Sequence, residues 1–160
     1  ENISDAETLR TRMYAKKEEI VQKDGFPQIP GVKEAIKRLH DEGFRLEVAS
    51  SSAGYYIGRV LDALEIRQYF ECYTSGEEVE HPKPAPDTFL CAMEKLNLKP
   101  EDCIIVEDST NGGKAAAAAG AKCVWFHNPD SGDQQIPHAV LTITSWSPEN
   151  VDKLIDLMHA

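Results

Sequence analysis

Residues 103–113 read CIIVEDSTNGG, and this segment gives the clearest indication of the fold class. Its first four residues, Cys103–Val106, form an uninterrupted apolar run, which is typical of a strand that is covered on both faces. Two acids follow the run, and then an alanine-rich helix is predicted at residues 112–119, ended by Gly120. A buried strand that passes directly into a helix is the repeating unit of a parallel α/β sheet.

The same alternation of short apolar strands and amphipathic helices continues on both sides of this stretch. Further strands are predicted at residues 44–50, 72–75, 122–126 and 140–143. Further helices are predicted at residues 32–39, 57–64, 90–96 and 148–158. We therefore predict the α/β class, with a three-layer, Rossmann-like, doubly wound parallel sheet. Ligands of such sheets bind beyond the carboxyl ends of the strands.

The first 31 residues do not show this alternation of strands and helices. Residues 4–7 (SDAE) fit a capping box, in which Ser4 and Glu7 satisfy each other's free amides at a helix start. A helix at about residues 5–23 follows, with only a thin apolar stripe. Residues 24–31 (DGFPQIPG) contain two prolines and two glycines, which is typical of a linker. We predict a domain boundary there, which divides the chain into residues 1–25 and 26–160.

Composition limits the function classes. The formal net charge of −10 argues against broad nucleic-acid binding and against an anionic membrane surface. No apolar run approaches the ~20 residues of a membrane span, and no leader is recognisable. Four cysteines without a CxxC pair favour reduced thiols, and five histidines lack metal-ligand spacing. We expect a cytoplasmic monomer without nucleic-acid or membrane partners.

A cluster of hydroxyl side chains lies at the end of the strand predicted at residues 44–50, within the segment 48–54 (VASSSAG). Ser50, Ser51 and Ser52 lie between a predicted strand and a predicted helix, where hydroxyls and free amides can bind an anion. The alternative is an ordinary serine-rich helix cap.

A lone lysine stands among prolines at residues 81–87 (HPKPAPD). Three prolines in five residues stiffen the segment, so it can hold the Lys83 ammonium in a fixed place beside an anion. The alternative is an exposed lysine in a proline-rich turn.

An acidic pair, Glu107 and Asp108, directly follows the central apolar strand. Adjacent carboxylates repel each other unless a cation lies between them, and Mg²⁺ prefers carboxylate oxygens. The alternative makes Asp108 a helix cap and Glu107 a solvated charge. Taken together, the hydroxyls, the lysine and the acids indicate phosphoryl transfer that is driven by charge neutralisation around Mg²⁺.

The chain resembles the haloacid dehalogenase (HAD) superfamily, in its phosphatase and β-phosphoglucomutase-like branch. The resemblance is carried by PGVKEAIKRL at 30–39, VASSS at 48–52, HPKPAPDTF at 81–89 and IIVEDSTNG at 104–112. It implies an HAD core with a remnant of a helical cap, of which residues 1–25 are the last helix. The resemblance also implies that Ser50 is the phosphate ligand, with Ser51 and Ser52 beside it. It implies that Lys83 is the lysine that stabilises the phosphorylated nucleophile. Glu107 and Asp108 match the acids that bind Mg²⁺, and Asp108 is expected to be the more direct ligand.

One departure from the family pattern is large. The nucleophile motif, Asp-x-Asp-x-Thr after a first strand, is absent from the sequence. In the family that strand lies between the strands at 48–52 and 104–107. Without that strand, each of these two strands has a free edge. The unpaired backbone amides and carbonyls of such an edge cost roughly 1–3 kcal/mol each if they are buried. We expect the chain to be the C-terminal two-thirds of a longer enzyme and to be inactive alone.

Three interpretations of the function follow. The leading one is a Mg²⁺-dependent phosphatase that acts on a small phosphorylated metabolite, such as a sugar phosphate, through an aspartyl-phosphate. The second is a sugar phosphomutase of the β-phosphoglucomutase kind, which shares the core and differs in the cap. The third is a non-catalytic regulator or binding module that has lost its nucleophile.

Overall fold

Short strands and helices alternate along the chain, as the sequence predicts. The computed structural model describes the backbone of residues 3–160 and the side chains of residues 8, 9 and 11–160. This part of the chain forms six α-helices: α1 (Ile3–Asp24), α2 (Val32–Asp41), α3 (Gly54–Ala63), α4 (Asp87–Lys95), α5 (Thr110–Ala119) and α6 (Pro148–His159). It also forms five strands: β1 (Glu47–Ser50), β2 (Cys72–Ser75), β3 (Ile104–Glu107), β4 (Lys122–Phe126) and β5 (Leu141–Ile143). The predicted capping box at residues 4–7 lies outside the described side chains.

The strands form two separate parallel ladders. In the first, β1 pairs with β2, with Ser50 opposite Ser75. In the second, the strand order is β3-β4-β5, with Glu107 opposite Trp125. Within the described part of the chain, β1 and β3 therefore each keep one edge without a strand partner. The predicted parallel α/β fold is confirmed, with the two ladders in place of one continuous sheet.

Helices cover both faces of the strands. One hydrophobic cluster joins α2 and α6 to β4 and β5, with Leu39, Val124 and Leu154 among its buried members. A second cluster joins α4 and α5 to β3 and β4, through Phe89 and Ala116 among others. Two helical layers with strands between them are the predicted three-layer arrangement.

A groove of about 690 Å³ lies between the free edges of β1 and β3. Residues 45–51 line one side of it and residues 102–109 line the other. The helices add apolar side chains to its walls: Val32, Ile36 and Leu39 of α2, Phe89, Ala92 and Met93 of α4, and Leu154 and Met158 of α6. The indole Nε1 of Trp146, another lining residue, is buried and has no hydrogen-bond partner within the described residues. Val106, predicted to be covered on both faces, is 36% exposed.

Strand β1 begins three residues later than the sequence predicts. The pattern predicted a strand from residue 44, but the ladder starts at Glu47. Arg45 is held by side-chain contacts instead, since its guanidinium forms two hydrogen bonds to Glu71, at 2.6 and 2.7 Å, and one to the Leu96 carbonyl. Because its partner strand starts only at Cys72, the segment before Glu47 has no strand to pair with.

Helix α1 ends at Asp24, and residues 25–31 connect it to α2 without regular structure, as predicted. The last turns of α1 contact α3. Glu18 accepts two hydrogen bonds from Arg59, at 2.8 and 2.9 Å, and the Lys17 ammonium lies 3.8 Å from the centre of the Tyr56 ring. In the part of the chain that is described, every helix is too short or too polar to cross a lipid bilayer.

The cysteines are unpaired, in agreement with the predicted reduced thiols. Burial, with a smaller contribution from the Glu107 carboxylate, raises the pKa of the Cys123 thiol to about 11 from its ordinary value of 9.0. A shift of two units lowers the thiolate fraction about 100-fold at neutral pH. Iodoacetamide at pH 7.5 is therefore expected to label Cys123 slowly in the folded protein and rapidly in urea. Peptide mass spectrometry measures both rates, and fast labelling of the folded protein would contradict the burial.

Candidate active site

Glu107 is the last residue of β3, and neighbouring donors occupy both of its carboxylate oxygens. Oε1 accepts a hydrogen bond from Lys83 Nζ at 2.5 Å. Oε2 accepts hydrogen bonds from the amides of Asp108 and Ser109, at 3.1 and 3.2 Å, and from Ser109 Oγ at 2.9 Å. The Glu107 side chain is only 10% exposed. It is therefore a largely buried carboxylate with hydrogen bonds to both oxygens, and not a solvated charge.

Helix α5 begins under this carboxylate. Ser109 is its N-cap, with Oγ accepting the Gly112 amide at 3.0 Å, so the helix starts at Thr110, two residues before the predicted start. Asp108 therefore does not cap the helix. A side chain at position 112 has no room, because a Cβ there would lie 1.9 Å from Cδ of Glu107.

Asp108 is half-buried and has one occupied and one free oxygen. Its Oδ2 accepts a hydrogen bond from Ser131 Oγ, and Asn128 Nδ2 lies 3.4 Å from the same atom. Its Oδ1 accepts no hydrogen bond from the residues that the structure describes. A free carboxylate oxygen at the end of a strand, open to a groove, is a suitable ligand for a hard cation.

Lys83 bridges the two ladders. Its Nζ donates to the Ala49 carbonyl of β1 at 3.1 Å and to Glu107 of β3, and it lies 4.2 Å from the centre of the Phe89 ring. The side chain is 9% exposed. The alternative of an exposed lysine in a turn is therefore wrong, since this ammonium is held at the point where both strands end.

The hydroxyl cluster is held by the end of β2. Ser50 Oγ accepts the Ser52 amide at 3.1 Å, and the Ser52 carbonyl accepts a hydrogen bond from the buried Ser75 hydroxyl at 2.8 Å. The N-cap of α3 is Ala53, without a side-chain cap, so the serines are not the cap of that helix. Close contact between the two loops needs Gly76, whose added Cβ would lie 3.1 Å from Cα of Ser51.

The three predicted strand ends thus meet at one edge. Ser50, Ser51, Lys83, Glu107 and Asp108 all line the groove between β1 and β3, whereas Ser52 is not a lining residue. Within the described side chains no group of three or more His, Cys, Asp or Glu residues could hold a metal ion. Of the two acids, Asp108 is the one with a carboxylate oxygen that accepts no hydrogen bond from the described residues.

Sequence reasoning missed the loop after β4. Asn128 and Ser131 contact Asp108, and Gln134 connects this loop to the first residue of α5, Thr110. The signal was present: β4 is a neighbouring parallel strand, and parallel strands end at a common edge. A turn rich in Asn, Asp, Ser and Gly after that strand is also ordinary loop composition, so the pattern alone does not single it out.

The chain belongs to the haloacid dehalogenase-like hydrolases, because the model of that family matches residues 1–126. This membership confirms the resemblance that the motifs at the strand ends predicted.

Two relatives and one solved structure illustrate the likeness. The chain is 32% identical over 115 residues to hexitol phosphatase B of Escherichia coli (strain K12), which covers 72% of this chain and 51% of that protein. It is 29% identical over 119 residues to the phosphorylated carbohydrates phosphatase of Thermotoga maritima, covering 74% and 55%. The crystal structure of a putative β-phosphoglucomutase from Thermotoga maritima matches 94% of this chain and 69% of that one, with 26% identity and a TM-score of 0.77. The chain spans about half the length of the curated relatives that it matches first.

Proposed function

We propose that this chain is the phosphate- and metal-binding part of a Mg²⁺-dependent phosphatase that acts on a small phosphorylated metabolite through an aspartyl-phosphate. The observation that carries the proposal is the position of Lys83. Its ammonium joins the end of β1 to the end of β3, and so brings a positive charge and a carboxylate to the edge where Ser50 also lies.

We assign roles to the chain's own residues on the basis of this geometry. Lys83 neutralises a phosphoryl oxygen, and the Ser50 hydroxyl with the Ser51 amide donates hydrogen bonds to the same group. Donors that are fixed before the substrate arrives stabilise transferring charge without reorganisation during the reaction. Glu107 holds Lys83 through Oε1 and the start of α5 through Oε2, and Oε1, with a single donor among the described residues, keeps one lone pair for a further contact.

The residues fit a Mg²⁺ ion at Asp108. Mg²⁺ is usually bound through one or two protein carboxylates, with waters and substrate phosphate completing its shell, so a three-residue cluster is not required. Asp108 supplies the free Oδ1, and Glu107 lies beside it as the second acid of the pair. When bound there, Mg²⁺ would shield the phosphoryl charge from an anionic nucleophile.

We place the nucleophile on a further strand, outside this chain, in the groove between β1 and β3. Three observations support this: the edges of β1 and β3 that have no strand partner among the described residues, the apolar walls of the groove, and the Trp146 indole, which has no hydrogen-bond partner in the same part of the chain. An aspartate oxygen at the end of that strand would attack phosphorus while the ester P–O bond breaks and the leaving oxygen takes a proton. Water then hydrolyses the acyl phosphate and regenerates the carboxylate. Without that strand the chain alone is expected to be inactive.

We assign residues 1–25 to a helical cap and residues 26–160 to the core. Leu9, Met13 and Ile20 of α1 are exposed, although they lie on one helical stripe. An apolar stripe without cover fits a helix that packs against further cap helices, and the irregular segment at 25–31 fits the connection between the two parts.

The relatives narrow the substrate class. Two of them are named as phosphatases of hexitols and of phosphorylated carbohydrates, and we extend this class, a sugar phosphate, to the complete protein. The structural likeness to a putative β-phosphoglucomutase keeps the phosphomutase as the second candidate. A phosphatase releases inorganic phosphate from a sugar phosphate, whereas a phosphomutase converts the sugar phosphate to an isomer. An assay of the complete protein for these two products separates the two functions.

The Asp108→Asn variant of the complete protein tests the proposed function. The substitution replaces a charged carboxylate ligand with a neutral amide oxygen, which binds Mg²⁺ more weakly, so kcat/KM for phosphate release is expected to fall at least about 100-fold. The dependence of the residual rate on Mg²⁺ concentration should weaken as well. The matched control is Asp133→Asn, the same change in an exposed aspartate of a nearby loop. Equal kinetics for wild type and Asp108→Asn would contradict the assignment.

A further inference from the structure

The loop that follows β4 reaches back over the carboxylate of Asp108. Because β4 pairs with β3, with Trp125 opposite Glu107, the end of β4 lies directly beside the acidic pair. Ser131 Oγ donates a hydrogen bond to Asp108 Oδ2, and Asn128 Nδ2 lies at 3.4 Å from that oxygen. None of the motifs that carry the family resemblance includes this loop.

The Ser131 hydroxyl has a defined orientation. It accepts a hydrogen bond from Asn128 Nδ2 at 3.0 Å, so its own proton is directed to Asp108. The amide oxygen of Asn128 in turn accepts the backbone amide of Asp130 at 3.1 Å, which holds the Asn128 side chain in place. The three hydrogen bonds therefore all donate in the direction of Asp108, and the last of them ends at its Oδ2.

The loop itself is fastened to the start of α5. Gln134 Oε1 accepts the Thr110 amide at 2.8 Å, while Gln134 Nε2 donates to the Ser131 carbonyl at 2.9 Å. The Gln135 amide donates to Thr110 Oγ1 at 2.9 Å. Since α5 starts at Thr110, two residues after Asp108, both partners of the Ser131–Asp108 contact are anchored to the same helix end.

We propose that Ser131, supported by Asn128, is a positioning residue that fixes the Asp108 carboxylate so that Oδ1 is the oxygen presented to Mg²⁺. The inference rests on the proposed metal site and adds to it the residue that orients the ligand. A carboxylate with one bonded oxygen loses its freedom to rotate and to bind the cation through either atom. Hydrogen bonds to ligating side chains commonly change metal affinity 10–100-fold.

The test is a titration of the complete protein with MgCl₂ alone, in which isothermal titration calorimetry measures the Kd for Mg²⁺. Ser131→Ala removes the hydroxyl and is expected to raise the Kd for Mg²⁺ about 10-fold. Ser131→Thr keeps a hydroxyl and should restore a Kd close to that of wild type. Ser145→Ala, the same deletion in an exposed serine of another loop, should leave the Kd unchanged. Asp108→Asn gives the reference value without the ligand.

The outcomes separate the two claims. If Asp108→Asn abolishes binding while Ser131→Ala has the Kd of wild type, the positioning role is overturned and the metal site stands. A Ser131→Ala variant that unfolds at lower temperature without Mg²⁺ but binds the ion normally also overturns the positioning role, because a structural role alone would do this. If wild type itself takes up no Mg²⁺, the proposed metal site fails together with this inference.

Discussion

Replacement of Lys83 with methionine in the complete protein is expected to lower kcat for phosphate release by about 100- to 1,000-fold and to destabilise the fold. The rate falls because a fixed ammonium no longer faces the transferring group, and one such donor contributes about 100- to 1,000-fold. Stability falls because Glu107 is left as a buried carboxylate without its cation. Breaking such a pair costs about 3–5 kcal/mol, and the three remaining donors to Glu107 favour the lower end.

Lys95→Met is the matched control for Lys83→Met. Lys95 Nζ also donates to one carboxylate, Glu78, and to one carbonyl, that of Tyr73, but it lies on α4 away from the groove. Its side chain is 31% exposed, so its loss should have a small effect on stability and none on kcat. Steady-state kinetics and urea unfolding measure both quantities. If Lys83→Met retains wild-type kcat, Lys83 does not contact the reacting group.

A double variant distinguishes the two effects of Lys83. Lys83→Met with Glu107→Gln removes both charges, so the buried unpaired carboxylate no longer exists. Part of the lost stability should return, since removing both partners of a buried pair is far less costly than removing one. Activity should not return. Recovery of kcat in the double variant would mean that Lys83 acts only by neutralising Glu107.

Gly112→Ala is expected to have the second largest effect. An added Cβ would lie 1.9 Å from Cδ and 2.1 Å from both oxygens of Glu107, so the carboxylate must leave its position over the start of α5. The Lys83 contact and the bond to the Ser109 hydroxyl would then be lost together. We expect a loss of about 2–3 kcal/mol in the free energy of unfolding, as for other overpacked sites, and a fall in kcat.

Gly54→Ala provides the comparison for Gly112→Ala. An added Cβ at Gly54, also in the first turn of a helix, would meet its nearest neighbour, a ring carbon of Tyr73, at 3.6 Å, which is ordinary contact. Its thermal midpoint should stay near that of wild type or rise slightly, because alanine is the better helix former. The account of Glu107 is contradicted if the two variants have equal midpoints and equal rates.

The fold could be predicted from the sequence because local patterns determine it. The apolar run at 103–106 and the stripe through Val151, Leu154 and Ile155 predict a strand and a helix by periodicity alone. The convergence of Ser50 and Lys83 could also be predicted, because parallel strands end at one edge.

Other features depend on contacts between distant segments. The start of β1 at Glu47 depends on its partner strand, which begins at Cys72, 25 residues away. The orientation of Asp108 by Ser131 depends on a loop 23 residues further along the chain. Such contacts leave no periodic signal, since any two strand segments or any Ser–Asp combination in a sequence is compatible with many separations in space.

The most direct measurement is a crystal structure of the complete protein with Mg²⁺ and orthovanadate, a tetrahedral mimic of phosphate. We predict that vanadium lies between the ends of β1 and β3, with its oxygens within hydrogen-bond distance of Lys83 Nζ and Ser50, and that the metal is bonded to Asp108 Oδ1. A vanadate bound where neither Lys83 nor Ser50 contacts it would contradict the account.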